Sequence, residues 1–181
     1  MFHSVIRVDA NLIKLLMLDV DGVLTDGRLF PESSDPAGDD GLTGKAFHVQ
    51  DGCAIKLWQR LGGETGILSG RTSRWIDRRA DELDIRWRLT GATDKGAAYE
   101  TLRKQAGCAD VAIAYVGDDL PDLRPMARCG LPIAVANAVP EVKRVAAYVT
   151  RGRGGDGVVA EVVEMLLRRQ KRWRRDLFEA M

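Results

Sequence analysis

Four short runs of aliphatic residues recur along the chain, and segments with helical periodicity separate them. The runs are Ile13–Leu18, Thr65–Leu68, Val111–Val116 and Ile133–Ala136. Nearly continuous aliphatic runs of this length are typical of parallel strands that helices cover on both faces. Strands that alternate with helices predict an α/β fold with an open, doubly wound, mostly parallel sheet. In such a sheet, ligands bind at the edge where the strands end.

Apolar residues at helical spacing occupy the segments between these runs. Ala54, Leu57, Trp58 and Leu61 follow the i, i+3, i+4, i+7 rule, and Gly62 stands where a helix can end. Further helices are predicted around residues 76–83, 98–106 and 142–146 and from about residue 158 onward, where a basic helical tail would run to residue 181.

Length, charge and cysteine content restrict the class of protein. The 181 residues suit one domain, and a formal net charge of +1 gives no reason to expect nucleic acid or a membrane as a partner. Cys53, Cys108 and Cys129 have no zinc-type spacing with each other or with a histidine. The sequence has no apolar stretch long enough for a signal peptide or a membrane span, so we expect a cytoplasmic protein.

Two aspartates follow the first aliphatic run. Asp19 and Asp21 stand at i and i+2 at the point where the strand leaves the sheet. Carboxylates this close repel each other, and Mg²⁺, which prefers hard oxygen ligands, would relieve the repulsion. An EF-hand loop does not fit, because Gly22 follows the second aspartate directly and a strand precedes the motif instead of a helix.

The later runs also end in polar residues. Ser69 follows the second run, Lys95 opens a predicted helix, and Asp118 and Asp119 follow the third run. Because the carboxyl ends of parallel strands share one edge, we expect these groups near Asp19. An acid, a hydroxyl, an ammonium and further acids are suited to a phosphoryl group bound to a metal.

These motifs resemble those of the haloacid dehalogenase superfamily of phosphatases. The segments DVDGVLTDG (19–27), LSGR (68–71), DK (94–95) and YVGDDLPD (115–122) occur in the order found in that superfamily. The segments 45–52, 147–150 and 151–157 are similar to those of its 3-deoxy-D-manno-octulosonate 8-phosphate phosphatases, enzymes of lipopolysaccharide biosynthesis. The resemblance extends over roughly residues 13–166.

The resemblance implies a two-step reaction at Asp19. Asp19 would attack phosphorus, and Asp21 would protonate the leaving oxygen and then activate water. Mg²⁺ would be held by Asp19, the backbone carbonyl of Asp21, and Asp118. Ser69 and Lys95 would hold the phosphoryl oxygens.

Two further assignments come from the resemblance. Asp119 would orient Lys95 or a metal-bound water. The anionic sugar would be held by arginines, whose guanidinium fork suits a carboxylate, together with neighbouring residues. The predicted substrate-binding set is His48, Val49, Gln50, Asp51, Gly52, Lys56, Gly70, Arg71 and Arg79.

The identity of the substrate stays open between two sugar acids. The substrate implied first is octulosonate 8-phosphate; a sialic-acid-type nonulosonate 9-phosphate is the alternative, since Lys56 stands where octulosonate enzymes usually carry arginine. A non-catalytic binding module on the same fold is a further alternative.

The intervals between the motifs leave no room for a cap domain over the site. We therefore expect one phosphatase domain, residues 1–181, with a β-hairpin flap over about residues 27–49 that has a loop at residues 31–44 rich in Pro, Gly, Ser and Asp. Capless relatives cover their sites by assembly, so the resemblance implies a homotetramer.

Two basic or glycine-rich segments are given less weight. Gly152–Gly157 matches G-x-G-x-x-G, but too little chain follows for a dinucleotide-binding unit. In the octulosonate 8-phosphate phosphatases that the sequence resembles, this segment reaches a neighbouring active site. Asp156 stands where those enzymes usually carry a basic residue. The basic run 168–175 is interpreted as a solvated helix extension, with contact to an anionic partner as the alternative.

Overall fold

One sheet of six strands organises the chain. The computed structural model describes residues 9–30 and 44–173. The strands are β1 Leu15–Leu18, β2 Glu64–Leu68, β3 Trp87–Leu89, β4 Ile113–Gly117, β5 Leu131–Ala134 and β6 Tyr148–Val149. Their order is β3-β2-β1-β4-β5-β6, and every neighbouring pair is parallel. The predicted doubly wound α/β fold is confirmed, with a sheet that is parallel throughout in the described residues.

Helices cover both faces of this sheet. They are α1 Val49–Arg60, α2 Arg74–Glu82, α3 Lys95–Gln105, α4 Leu123–Met126, α5 Pro140–Val145 and α6 Val158–Arg169. Within the described ranges, no helix combines the length and the apolar character that a membrane crossing requires.

The central strand β1 sets the position of the site. It lies between β2 and β4, with Leu18 in register with Ile67 on one side and Val116 on the other. All four of its side chains are fully buried, which explains its continuous aliphatic sequence. The strand order changes direction between β1 and β4, so a crevice for ligands is expected where these two strands end.

The edge strand β3 was missed by the sequence analysis. Trp87 and Leu89 are only half-buried and Arg88 is exposed, because β3 has a neighbour on one side only. A strand with one covered edge does not need a continuous aliphatic run, so its sequence gave no clear signal.

The basic tail is not one continuous helix. Helix α6 ends at Arg169, and Lys171 adopts a left-handed backbone with φ 56°. The chain then turns back, and the N–H groups of Arg172 and Trp173 donate to the carbonyl of Leu167. The prediction of a helical tail beyond Arg169 is therefore wrong as far as residue 173, and residues 174–181 lie outside the described residues.

The predicted flap is not a hairpin in its described part. Residues 27–30 and 44–48 contain no strand, and Val49 already belongs to α1. An isolated pair of strands is marginally stable without a surface to pack on, so the two flanks have little reason to pair in a single chain. Residues 31–43, which would form the tip, lie outside the described residues.

Candidate active site

Asp19 lies at the carboxyl end of β1, where its side chain is almost fully buried. Its Oδ1 atom lies 2.8 Å from Nζ of Lys95. Burial, and after it the charge of Asp122, raise the pKa of Asp19 well above its usual range, although Lys95 acts in the opposite direction. An ionised Asp19 therefore needs more positive charge than Lys95 alone supplies.

The first turn of α3 presents Lys95 to this strand end. Asp94 caps the helix, and its Oδ1 atom accepts hydrogen bonds from the N–H groups of Gly96 and Ala97. The Lys95 side chain is buried, with 7% exposure. Burial alone would lower the pKa of Lys95, but Asp19 and Asp122 together raise it, so the ammonium stays charged.

A fully buried carboxylate, that of Asp122, holds Lys95 in place. Its Oδ1 atom accepts from Nζ of Lys95 at 2.7 Å and from the hydroxyl of Tyr115 at 2.8 Å. Its Oδ2 atom accepts from the N–H groups of Asp118 and Asp119 at 2.9 and 3.2 Å. Asp122 thus ties the ammonium to the loop that follows β4.

The predicted orienting role of Asp119 belongs to Asp122 in this structure. The Asp119 side chain caps the short turn Leu120–Asp122 and accepts from the N–H of Leu120. Its backbone turns the carboxylate toward solvent, whereas the turn directs Asp122 inward. Asp122 belongs to the motif YVGDDLPD (115–122), but nothing in the motif distinguishes its role from that of Asp119.

Asp118, which follows β4, is the second carboxylate close to that of Asp19. One oxygen of each of Asp19, Asp118 and Asp122 lies within 4.8 Å of the others. Oδ1 of Asp118 is buried and has no hydrogen-bond partner within the described chain. Burial, and then Asp122, raise the pKa of Asp118 to about 6.

Gly22 makes room for Asp118. A Cβ atom at Gly22 would stand 2.0 Å from Oδ2 of Asp118, and the backbone there has φ 97°. Both facts require glycine, because a side chain would clash and would strain the left-handed backbone. The glycine of the DVDG motif is thus explained by the position of an acid about a hundred residues away in sequence.

Asp21 faces the more open side of the site. Its side chain is 22% exposed, and its Oδ1 atom lies 2.5 Å from Nζ of Lys45. Nε of Arg71 lies 4.0 Å from its other oxygen, Oδ2. Lys45 belongs to the segment 45–52 that resembles the octulosonate 8-phosphate phosphatases, but the resemblance assigns its side chain no role.

Ser69 lies at the end of β2, next to β1. It is buried, and its Oγ atom accepts a hydrogen bond from the N–H of Arg71 at 3.2 Å. That bond leaves the hydroxyl proton to be donated to a ligand. Gly70 follows, exposed, in the same turn.

The glycine-rich loop packs against the loop that follows Asp19. A Cβ at Gly154 would stand 1.6 Å from the carbonyl oxygen of Gly22, and one at Gly155 would stand 2.4 Å from the nitrogen of Asp26. The N–H of Gly155 donates to the carbonyl of Val23. Within this chain, these glycines permit close contact between two backbones; they do not form a dinucleotide site.

Comparison with known proteins decides the family. A family model described as haloacid dehalogenase-like hydrolase matches residues 88–162. A 3-deoxy-D-manno-octulosonate 8-phosphate phosphatase of Yersinia pestis is 40% identical over 164 residues, covering 91% of this chain and 84% of that protein. This chain belongs to the haloacid dehalogenase family of phosphatases.

Solved structures of this haloacid dehalogenase family agree with the fold. The octulosonate 8-phosphate phosphatase from Moraxella catarrhalis, in complex with magnesium, phosphate and KDO, is 37% identical with a TM-score of 0.86, covering 99% of this chain and 98% of that chain. The cobalt-bound enzyme from Haemophilus influenzae is 39% identical with a TM-score of 0.83, covering 90% and 92%.

The residues at the strand ends fit a divalent cation, as expected for a haloacid dehalogenase fold. Asp19 and Asp118 offer hard oxygen atoms, and the buried Oδ1 of Asp118 lacks a partner in the described chain. Asp122 is a poor ligand in comparison, because four donors already occupy its two oxygens. Of the three predicted ligands, the carboxylates of Asp19 and Asp118 are thus brought together, and the third is the backbone carbonyl of Asp21.

The segment His48–Gly52, predicted to bind substrate, is partly used for packing. Asp51 is buried, and its Oδ1 atom accepts from the N–H of Ala160 in the first turn of α6. Gln50 and His48 lie against Gly157, and Val49 is exposed. In this structure Asp51 joins α1 to α6.

Arg79 is also committed to packing. Its Nη2 atom donates to the carbonyl of His48 at 3.3 Å, and a Cβ at Gly52 would stand 2.5 Å from that same nitrogen. Its guanidinium lies over the ring of Phe47 and pairs with Glu82. Arg79 therefore fastens the start of α1 within one chain.

Lys56 and Arg71 differ in their surroundings. Lys56 pairs with Asp84, which follows α2 near the amino ends of the strands. That end of the sheet is opposite the predicted site, so one chain does not bring Lys56 to it. Arg71, 52% exposed beside Asp21, remains available to a ligand.

Proposed function

We propose that this chain is a Mg²⁺-dependent phosphatase that hydrolyses 3-deoxy-D-manno-octulosonate 8-phosphate to the free sugar acid and phosphate. The observation that carries the proposal is the arrangement at one sheet edge of buried Asp19, the fixed ammonium of Lys95, and Asp118, whose Oδ1 has no hydrogen-bond partner among the described residues. The relatives named for this reaction, one of them with magnesium, phosphate and KDO, support the choice of substrate and metal.

In the first step, an oxygen of the Asp19 carboxylate attacks phosphorus and the bond to the sugar oxygen breaks. Asp21 gives that oxygen a proton, so a neutral hydroxyl leaves. Lys95 and Ser69 hold the phosphoryl oxygens while charge moves onto them. The products of this step are the sugar acid and a phosphorylated Asp19.

In the second step, Asp21 takes a proton from a water that attacks phosphorus. The bond between phosphorus and the Asp19 oxygen breaks, which restores the carboxylate and releases phosphate. Asp19, Asp118 and the backbone carbonyl of Asp21 would hold Mg²⁺, which when bound would neutralise charge between nucleophile and phosphate. Asp122 keeps Lys95 directed at Asp19 throughout.

We expect Mg²⁺ to raise the thermal stability of the wild-type protein. The cation relieves the crowding of Asp19 and Asp118, and at a hundredfold excess over Kd it would add about 2.7 kcal/mol, or roughly 5–10 °C in Tm. The shift should be larger at pH 8 than at pH 5, because the pKa of Asp118 is raised to about 6 and protons compete with the metal below that pH.

Differential scanning fluorimetry with and without Mg²⁺ measures this shift. Asp118→Asn should remove it. Asp26→Asn is the matched control, since Asp26 lies in the loop that follows Asp19, with its side chain 42% exposed and paired with Arg28. A full Mg²⁺ shift in Asp118→Asn would rule out this metal site.

Phosphate release from a panel of phosphate esters tests the choice of substrate. The panel contains octulosonate 8-phosphate, a nonulosonate 9-phosphate, and a hexose phosphate without a carboxylate. We expect the highest kcat/KM for octulosonate 8-phosphate. A higher value for the nine-carbon acid would keep the mechanism and change the substrate, and no release from any ester would contradict the enzyme proposal.

Assembly into a homotetramer and a cytoplasmic location are also parts of the proposal. Leu29, Phe30 and Val49, which lie within the predicted flap at residues 27–49, are 41%, 48% and 75% exposed in the single chain and would be covered by a second copy. Three free cysteines suit a reducing compartment. Light scattering coupled to size-exclusion chromatography should give four chains, and a monomer mass would contradict this.

A further inference from the structure

Lys45 makes an unusual contact for a lysine in an irregular segment. It lies in residues 44–48, which precede α1, and its side chain is 1% exposed. Its Nζ atom lies 2.5 Å from Oδ1 of Asp21. Lysine is almost never fully buried unless it is paired, so this contact has a specific partner.

Asp21 is the acid paired with Lys45 in the described chain, and the pair is asymmetric. Lys45 is buried behind the carboxylate, whereas Asp21 is 22% exposed and Arg71 on its other side is 52% exposed. The ammonium occupies Oδ1 of Asp21. Oδ2 lies on the other side of the carboxylate, 4.0 Å from Nε of the exposed Arg71.

We infer that Lys45 is a positioning residue that fixes the carboxylate of Asp21 for proton transfer through Oδ2. The inference rests on the proposed phosphatase function and extends it. With Oδ1 held, rotation of the carboxylate is restricted, and the proton given to the leaving oxygen comes from Oδ2. The same oxygen takes the proton of the attacking water in the second step, so no further reactant is needed.

The leaving group provides a readout that general structural damage would not produce. A sugar alkoxide needs a proton as it leaves, whereas p-nitrophenolate leaves without one. If Lys45 acts through Asp21, its loss should slow release of a sugar and should hardly affect release of p-nitrophenol. A residue that only supports the fold would affect both releases alike.

The test compares Lys45→Met with wild type in the first turnover, by rapid quench, on octulosonate 8-phosphate and on p-nitrophenyl phosphate. We expect sugar release to slow by roughly 10–100-fold, with KM nearly unchanged, because a misplaced catalytic group costs about that much. Release of p-nitrophenol should change by less than about threefold, and Lys45→Arg should recover part of the loss. Lys104→Met, an exposed lysine on α3, is the matched control.

A double variant shows whether Lys45 acts through Asp21. Lys45→Met combined with Asp21→Asn should be no slower on the sugar phosphate than Asp21→Asn alone. Equal losses on both substrates, a rise in KM alone, additive losses, or no loss at all would each overturn the inference while leaving the phosphatase intact. If wild type releases product from neither substrate, the proposed function fails first, and the inference fails with it.

Discussion

Asp19→Asn is expected to abolish phosphate release, with a loss on the order of 10⁴-fold or more, because the amide cannot attack phosphorus. The loss should appear in kcat on every phosphate ester, including p-nitrophenyl phosphate, since Asp19 reacts with the phosphoryl group that all of them share. A phosphate-release assay with Mg²⁺ measures it. Substantial activity in Asp19→Asn would show that another group is the nucleophile.

The same variant should not unfold the protein. Burial and Asp122 raise the pKa of Asp19, so the ionised carboxylate destabilises the metal-free fold at neutral pH. When folding raises the pKa of a carboxyl group, the native state loses stability as pH rises above the pKa of that group in the unfolded state. Removing the charge prevents this loss of stability. Without metal, Asp19→Asn should therefore unfold at or above the wild-type temperature, which separates loss of chemistry from loss of fold.

Asp122→Asn is expected to have the second-largest effect, on both stability and activity. Asp122 accepts four hydrogen bonds at zero exposure, and an amide would direct an N–H group at Lys95 or at two backbone donors. Breaking a buried pair by changing one partner costs about 3–5 kcal/mol. Chemical denaturation should show a loss of that order, and kcat should fall at least about 100-fold as Lys95 loses its position.

Asp119→Asn is the matched control for this prediction. Asp119 caps the same turn, but its exposed side chain accepts from backbone N–H groups of that turn, including that of Leu120, and asparagine caps a turn equally well. We expect kcat within about tenfold of wild type and little change in stability. If Asp119→Asn were more damaging than Asp122→Asn, Asp119 and not Asp122 would be the residue that orients Lys95.

The sheet and the main acids could be predicted because each depends on local sequence. Continuous aliphatic runs identified β1, β2, β4 and β5, since strands buried on both faces require them. The carboxyl ends of parallel strands meet at one edge of the sheet, so the positions of Asp19, Ser69 and Asp118 near one another could be predicted. Lys95 follows from Asp94, which caps α3.

Other features depend on contacts that sequence spacing does not reveal. Asp118, Asp119 and Asp122 look alike in sequence, and a single short turn decides which of them points inward. Arg79 contacts His48 and Phe47, which directly precede α1 and lie more than thirty positions away in sequence.

The contact of Lys45 with Asp21 spans 24 positions and crosses the residues outside the described ranges. A motif places Lys45 near a site, but only the fold shows that its side chain is buried against Asp21. The side-chain roles that sequence reasoning missed are thus the long-range ones.

The most direct test of the account is to trap phosphorus on Asp19. In Asp21→Asn, p-nitrophenyl phosphate should still react in the first step, whose leaving group needs no proton, while the second step slows because no carboxylate activates water. We expect a burst of about one p-nitrophenol per chain, with mass spectrometry locating a covalent phosphate on Asp19. Phosphate on another residue, or nitrophenol and phosphate released together without a burst, would contradict an aspartyl-phosphate mechanism at Asp19.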